Sequence, residues 1–540
     1  MEGNKGYLKL YTRQPDEDSY PWELASSVHM SYSMDGKEFT PLNRNYGILF
    51  AKACIGQDNT IMQRGIKNPR LFSMGEGWYG IVAAEMDGKG NEGNSLLWKT
   101  MDFIAFEGPD SLLDEELVLN DAADCIEVEY AVLVRAAEYW SPVSNTEILL
   151  PECIEIKSVE ELRKVRAVAV YSDGSSVLKK VRWDETGNDL SAPGIYEITG
   201  RVADKKYPFP LASGYGDPVV FQWEGKWYYI STNDNVEDIG LYVREADTVA
   251  GLFAEGVEEH LILAKDESRE LIQTFWAPEF HEIGGELYLL FAVSGYSWNP
   301  QCHIMKLKKG HSIIDPESWE DPIRVRGKDG GYLSEKGITL DMTFIKTSKQ
   351  SYMVWSYREY IGKPLDTGSM LCIATVDEGE PWKLTSNPVL LSRPLFGWEN
   401  VSGTINNEGP CAFLRDGNVY LTYSGGSANG YTYSLGLLTA REENDLLDIS
   451  VWKKRCTPVL SFYSVAGQYG PGHNSFFVDE DGDLMIAYHG ETERTSSLRC
   501  NGIRRVHFRK DGSPEFGMSA KEDLNPALSA VRIKVHVMAN

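Results

Sequence analysis

A short pattern recurs five times between residues 223 and 488, and it constrains the fold of this chain more than any other feature. An apolar approach leads into a turn holding Gly or another polar residue, and a Tyr-rich or apolar strand follows: Trp223–Ser231, Ile283–Phe291, Ser348–Ser356, Arg415–Ser424 and Glu480–Tyr488. The copies lie roughly 60 to 70 residues apart, and strand hairpins repeated at a fixed period build a β-propeller whose blades stack around a channel. Helical periodicity is scarce elsewhere. Short aromatic and β-branched runs bounded by Gly, Asp and Asn predict an all-β protein: a five-bladed β-propeller preceded by smaller β domains.

Upstream, Val168-Ala-Val-Tyr-Ser-Asp-Gly-Ser-Ser, Val181-Arg-Trp-Asp and Pro193-Gly-Ile-Tyr-Glu-Ile-Thr-Gly-Arg-Val202 alternate strands with Asp-Gly and Pro-Gly turns, as a small sandwich does. This series resembles the bacterial Ig-like domains, which act as spacers or packing supports. Residues 1–140 hold blade-like pieces, Gly6–Tyr11, Ser31–Phe39 and Gly77–Val82. Where an active blade would place Asp-Pro, they have Lys67-Asn68-Pro69, so packing or glycan contact is expected there rather than chemistry. The expected domains are thus a non-catalytic N-terminal β region (1–140), an Ig-like β-sandwich (141–204) and a catalytic propeller (205–540).

A formal charge of −26 repels nucleic-acid phosphates and anionic lipid surfaces, so neither partner is expected. The chain has no run of 18 apolar residues, and no apolar stretch of signal-peptide length follows Met1. Eight scattered cysteines show no CxxC pair or zinc spacing and read as buried thiols of a reducing compartment. Together these predict a cytoplasmic protein.

Three acids stand at the head of first strands in different repeats. Asp217 lies in Gly214-Tyr-Gly-Asp-Pro, where Pro218 is expected to hold it in extended geometry; Asp341 lies in Gly337-Ile-Thr-Leu-Asp, and Glu408 in Asn406-Asn-Glu-Gly-Pro. First strands line the channel of a propeller, and hydrolysis of a glycosidic bond needs two carboxyl groups on opposite sides of it. An isolated acid before Gly or Pro is an ordinary turn residue; three at matching places point to a site.

From about residue 206 to 540 the chain resembles glycoside hydrolase family 43. The likeness rests on Tyr215-Gly-Asp-Pro, Trp276-Ala-Pro-Glu-Phe-His281, Leu340-Asp-Met-Thr-Phe, Glu408-Gly-Pro with Tyr423-Ser-Gly, and Gly470-Pro-Gly-His-Asn-Ser475, one motif per blade in order. The resemblance implies Asp217 as the general base that activates water, Glu408 as the general acid, Asp341 as the acid that tunes and orients Glu408, and inversion at the anomeric carbon. It also implies no required cofactor, with His473 at the channel centre beside an optional calcium or its waters. The chain departs from the usual pattern at Leu340-Asp-Met-Thr, where Ile-Asp-Pro-Ser or Ile-Asp-Gly-Thr is commoner. It departs again at Glu279, where many relatives have Asp and which reads as substrate-shaping or structural. Tyr215, Trp276 and Trp298 offer flat faces for a sugar. Arg504 and Arg505 are indistinguishable as further channel residues.

The expected activity is release of terminal α-L-arabinofuranosyl residues from plant cell-wall oligosaccharides. The alternatives are a β-D-xylosidase of the same family and a non-catalytic glycan-binding propeller. The long connections Ser294 to Gln301 and Leu395 to Asn407 would wall one end of the channel and favour exo cleavage. Retaining fructosidases on this scaffold carry Asn-Asp-Pro-Asn-Gly, Arg-Asp-Pro and Glu-Cys motifs, none of which is present.

Overall fold

The computed structural model describes residues 5–16, 19–112, 122–185, 190–203 and 207–538. They form two compact units. The first comprises residues 1–137, 208–477 and 486–503, and the second residues 138–207, 478–485 and 504–540. No helix among the described residues is long and apolar enough to cross a membrane.

The first unit holds the propeller. Four antiparallel four-stranded sheets begin with the strands Tyr215–Trp223, Gln273–Ile283, Gly337–Lys346 and Asn407–Arg415, and a fifth sheet begins with Tyr469–Val478. First strands of the first four blades lie side by side in order. Backbone pairing closes the ring, and side-chain contacts reinforce it. Asn501, on the third strand of blade five (Cys500–Arg505), accepts from Leu211 N–H at 2.9 Å and donates to the Ala212 carbonyl at 2.8 Å. Gly214 N–H then reaches the Arg499 carbonyl at 2.8 Å, so the segment that enters blade one runs along the edge of blade five.

The first strands of blades one to four carry the same irregularity. The pairing register skips between Gly216 and Val219, Trp276 and Glu279, Leu340 and Thr343, and Glu408 and Cys411. At these bulges Asp217, Ala277, Asp341 and Gly409 have φ of +55°, +46°, +54° and +56°, and His473 on blade five has +40°. A bulge breaks the two-residue alternation of a strand and re-aims one side chain, at a cost near 1 kcal/mol for a non-glycine residue. The extended geometry expected for Asp217 is therefore corrected. A following proline disfavours the right-handed helical region, and the chain meets that constraint with positive φ at a bulge.

The N-terminal residues of this unit form two blade-like sheets. One joins Lys5–Tyr11, His29–Ser33, Thr40–Pro41 and Cys125–Glu129; the other is the meander Arg64–Gly75, Trp78–Asp87, Glu92–Thr100 and Glu107–Leu112. The meander repeats the propeller bulge between Lys67 and Arg70, with Asn68 at φ +52° in the slot that Asp217 fills in blade one. Tyr20, Leu24, Ala25, Tyr46 and Phe50 share one buried cluster with Val354, Leu371 and Ile373 of blade three, Val419 and Leu421 of blade four, and Trp398. The connection Leu395 to Asn407 serves this packing: Ser402 N–H donates to Glu23 and Asn400 O accepts from Gln63.

The second unit is the Ig-like domain. Its sheet runs Asn145–Leu149, Arg166–Tyr171, Ser176–Trp183, Gly194–Val202, Ala530–Val537 and Cys153–Ile156. The C-terminal strand sits inside this sheet, and a buried Lys179–Asp523 pair at 2.7 Å, shared with Arg505, fastens its approach. Residues 504–540 thus fall in this unit, unlike in the expected division, whose limit at 204–205 lies outside the described residues. The eight cysteines are unpaired; Cys302, Cys372, Cys411 and Cys500 are buried, whereas Cys153 is exposed and does not match the expected buried thiols.

The shared cluster makes a prediction. Leu24→Ala removes a fully buried side chain where the N-terminal region meets blades three and four. It should cost about 2–5 kcal/mol, read as a lower urea midpoint.

Candidate active site

The bulges converge on one cavity of about 610 Å³. Its lining includes Asp217, Asp341, Glu408 and His473, together with Trp276, Asp234, Glu237, Asp238 and Arg499. Blade four differs in a telling way. Its bulge slot is occupied by Gly409, where a Cβ would stand 2.9 Å from the His473 ring, and Glu408 reaches in from the position before.

Asp217 is 6% exposed, so its carboxylate has left water and depends on protein donors. It has them. Thr232 donates to Oδ2, Arg499 Nη1 lies 3.2 and 3.3 Å from the two oxygens, and His473 Nδ1 lies 3.0 Å from Oδ1. Thr232 is itself oriented, because its Oγ1 accepts the Ala277 N–H at 2.8 Å. His489 Nδ1 accepts the Asp217 backbone N–H at 3.1 Å, which fits a neutral ring with its proton on Nε2, and Tyr433 stacks on that ring. Burial alone would raise the Asp217 pKa. The charges of His473 and Arg499 outweigh it and hold the group well below the usual carboxylate range.

Glu408 sits in the opposite electrostatic situation. Burial first, then the neighbouring Asp341 and Asp217 charges, push it up to about 7, against the lowering effects of His473 and a 3.0 Å hydrogen bond from Tyr433 Oη. Asp341 is also raised, by burial and then by Asp217. It is opposed by His473 and by the donors on its Oδ2, the Gly409 N–H and Ser356 Oγ, both at 3.0 Å. For His473 burial works against the charged form, but Asp217, Asp341, Glu408 and Glu279 together raise its pKa. The site therefore holds an ionised carboxylate and a carboxylic acid in one cavity near neutral pH.

The structure brings together Asp217, Asp341, Glu408, His473 and Trp276 as expected from sequence. Trp298 does not line the cavity; it is half-exposed, with its ring edge-on to Trp276 at 6.2 Å. Two further expected residues lie elsewhere. Tyr215 donates to Glu259 at 2.9 Å beneath the Arg244 guanidinium, as a strut within blade one, and it does not line the cavity. Glu279 is buried against His281 at 2.7 Å and reaches the cavity only through its charge on His473. The arginine at the channel is Arg499, not Arg504 or Arg505; Arg505 is bonded to Asp523 in the second unit. Thr232, Tyr433, His489, Arg499 and Asp234 had escaped sequence reasoning because they lie on second and third strands and loops, where only pairing register places them. No group of three or more His, Cys, Asp or Glu among the described residues is arranged to hold a metal ion.

A profile of glycosyl hydrolases family 43 matches residues 208–514, and one of the bacterial Ig-like domains (group 4) matches residues 166–205. The extracellular exo-α-(1→5)-L-arabinofuranosidase of Streptomyces avermitilis is 31% identical over 329 residues, 59% of this chain and 64% of that protein. The enzyme of the same name from Streptomyces chartreusis is 32% identical over 302 residues, 55% of this chain and 86% of that protein. The crystal structure of an α-L-arabinofuranosidase from Lactobacillus brevis aligns with a TM-score of 0.51 at 28% identity, over 57% of this chain and 96% of that one. The match thus spans just under two thirds of the first of these relatives. Both Streptomyces proteins are named as extracellular, which corrects the cytoplasmic location expected above. With the family profile covering more than half of its length, and with Asp217, Asp341, Glu408 and His473 of its motifs gathered in one cavity, this chain belongs to glycoside hydrolase family 43.

Proposed function

We propose that this protein hydrolyses terminal α-L-arabinofuranosyl residues from oligosaccharides with inversion of the anomeric carbon. One observation carries the reading: two carboxyl groups with opposite proton affinities, Asp217 held ionised and Glu408 raised to about 7, face the same cavity. Inverting hydrolysis needs that pair, one to hold water and the other to give a proton. The names of the relatives support arabinofuranose as the sugar, and their exo action suits a cavity walled by Trp276, Ala428, Asn429 and Ser497.

In the proposed reaction Glu408 gives its proton to the leaving oxygen as the bond from that oxygen to the anomeric carbon breaks. Water held by Asp217 adds to the opposite face and passes a proton to Asp217. So many donors leave Asp217 a weak base. That suits a transition state with oxocarbenium character, where the bond to the leaving group is largely broken before water must lose its proton. Asp341 keeps Glu408 protonated, and cationic His473 balances the three acids. The residues do not fit a calcium cage. Calcium takes six to eight oxygen ligands, whereas His473 spends Nδ1 on Asp217 and gathers positive charge, so no step here uses a metal.

The test is turnover of p-nitrophenyl α-L-arabinofuranoside and β-D-xylopyranoside, with the first-formed anomer followed by NMR. The furanoside should be cleaved to inverted sugar; preference for the pyranoside would replace arabinose by xylose in the reading, and retained product would overturn the mechanism. Glu408→Ala should lose about 10²–10⁴-fold in kcat, less on the nitrophenyl substrate than on an oligosaccharide, whose leaving group needs the proton more. Asp217→Asn should lose activity on both alike. The pH dependence carries a sign. Glu408 acts while protonated, so activity falls as pH rises through its pKa. Asp341→Asn removes a charge that raises this pKa, and the basic limb of kcat/KM should move to lower pH.

A further inference from the structure

Beside the base lies a group of charges to which the reaction above gives no role. Arg499 meets Asp217 through Nη1 alone. Its Nε donates to Asp234 Oδ2 at 2.9 Å and its Nη2 to Asp234 Oδ1. A guanidinium held through both nitrogens by one carboxylate cannot turn without breaking two charge-assisted bonds, so Asp234 sets the direction in which Nη1 points. The floor under this arginine is bare: a Cβ on Gly216 would stand 2.0 Å from the guanidinium carbon. Asp234 opens the short turn after the strand Lys226–Asn233, and Asn233 caps that turn by accepting the Asn235 N–H.

Asp238 braces the clamp from behind. Its N–H donates to the Asn233 carbonyl at 3.1 Å, its carbonyl accepts from Phe275 at 3.0 Å, and its Oδ2 accepts the Trp276 indole N–H at 2.8 Å. Its Oδ1 is buried and meets no donor. Burial and then the Asp234 charge push this carboxyl up to about 6, and a proton shared with Asp234 would satisfy the bare oxygen.

We propose that Asp234 is a positioning residue for the base: it clamps Arg499 in the orientation that keeps Asp217 ionised, and Asp238 ties that clamp to the Trp276 wall of the cavity. The inference rests on the reading of Asp217 as the base. The titratable and charged groups facing Asp217 are His473, neutral His489 and Arg499, with Asp341 and Glu408 acting across the cavity, and Asp234 meets Asp217 through Arg499. Two mechanisms then predict opposite signs. If Asp234 merely offset the charge of Arg499, removing it would strengthen the pull of Arg499 and lower the Asp217 pKa. If Asp234 positions Arg499, removing it frees the guanidinium and raises that pKa.

The experiment uses the full chain as wild type, Asp234→Asn, Arg499→Lys and the double variant. Two readouts are taken: the acid limb of kcat/KM, and the ¹³C titration of the Asp217 carboxyl, assigned by its loss in Asp217→Asn. Asp234→Asn should raise both by about one pH unit, with a larger effect on kcat than on KM. Arg499→Lys should do the same, because an ammonium cannot span both carboxylates, and the double variant should shift no further than Arg499→Lys alone. An unchanged or lowered Asp217 titration in Asp234→Asn, or shifts that add in the double variant, overturns the proposal. If the wild type cleaves neither glycoside, the functional reading fails by itself, and the carbon titration still decides whether Asp234 positions Arg499.

Discussion

A carboxylate that is almost wholly removed from water costs on the order of several kcal/mol unless donors replace what the solvent supplied. Asp217 is such a group, and much of the catalytic unit can be understood as the means of holding it ionised. Its donors come from both sides of the ring closure: Thr232 from the second strand of blade one, and His473 and Arg499 from blade five. The backbone pairing of residues 211–214 with 499–501 brings those two blades together. Ring closure therefore brings together the groups that replace water around Asp217. Were the closure to open, the cost of the uncompensated charge would fall on the joint where the chain is already non-covalent.

The bulge is the local device that makes this geometry repeatable. Ordinary strand alternation would put Asp217 and Asp341 on one face or the other of a blade, between neighbouring sheets. A positive φ in each first strand turns one side chain per blade toward the axis instead, and the five slots hold Asp217, Ala277, Asp341, Gly409 and His473. Two acids and a histidine supply charge; Ala277 and Gly409 supply room. Gly409 is small because the His473 ring lies against it, and that smallness is what obliges the acid of blade four to come from Glu408. With Asp341 on its own blade bonded to the Gly409 N–H, the pair that raises Glu408 is built by the same bulge.

What could be read from the sequence follows from this division. The blade repeat, the Ig-like series and the acids at 217, 341 and 408 were legible because local patterns carry them: a turn, a strand and a motif within a few residues. The backbone of Asp217 was not, since a proline after an acid fits extended geometry as well as a bulge, and only pairing with Lys226–Asn233 separates the two. Arg499 was missed for a related reason. It lies 282 residues from Asp217 in a stretch with no motif, and the nearby Arg504 and Arg505 were equally plausible until strand register sent Arg505 to Asp523. Tyr215 was misplaced because it stands two residues before Asp217 in the motif, although in a strand that places its ring beside Arg244 and Glu259. The C-terminal strand, separated from its Ig-like partners by the whole propeller, could be assigned only through its pairing with Gly194–Val202.

The N-terminal meander shows how separable scaffold and chemistry are. It has the four strands, the skipped register and the positive φ of a catalytic blade, and Pro69 follows its slot residue as Pro218 follows Asp217. The slot holds Asn68, which is exposed and carries no charge, and the described contacts provide no counterpart to Arg499, His473 or Thr232 around it. An uncharged amide in water needs none. The bulge is thus a property of the blade as a folding unit, kept where no acid uses it. The chemistry arises only where burial, a carboxylate and donors from neighbouring blades coincide, so the step from a blade to an active site lies in what surrounds the slot more than in the strand that bears it.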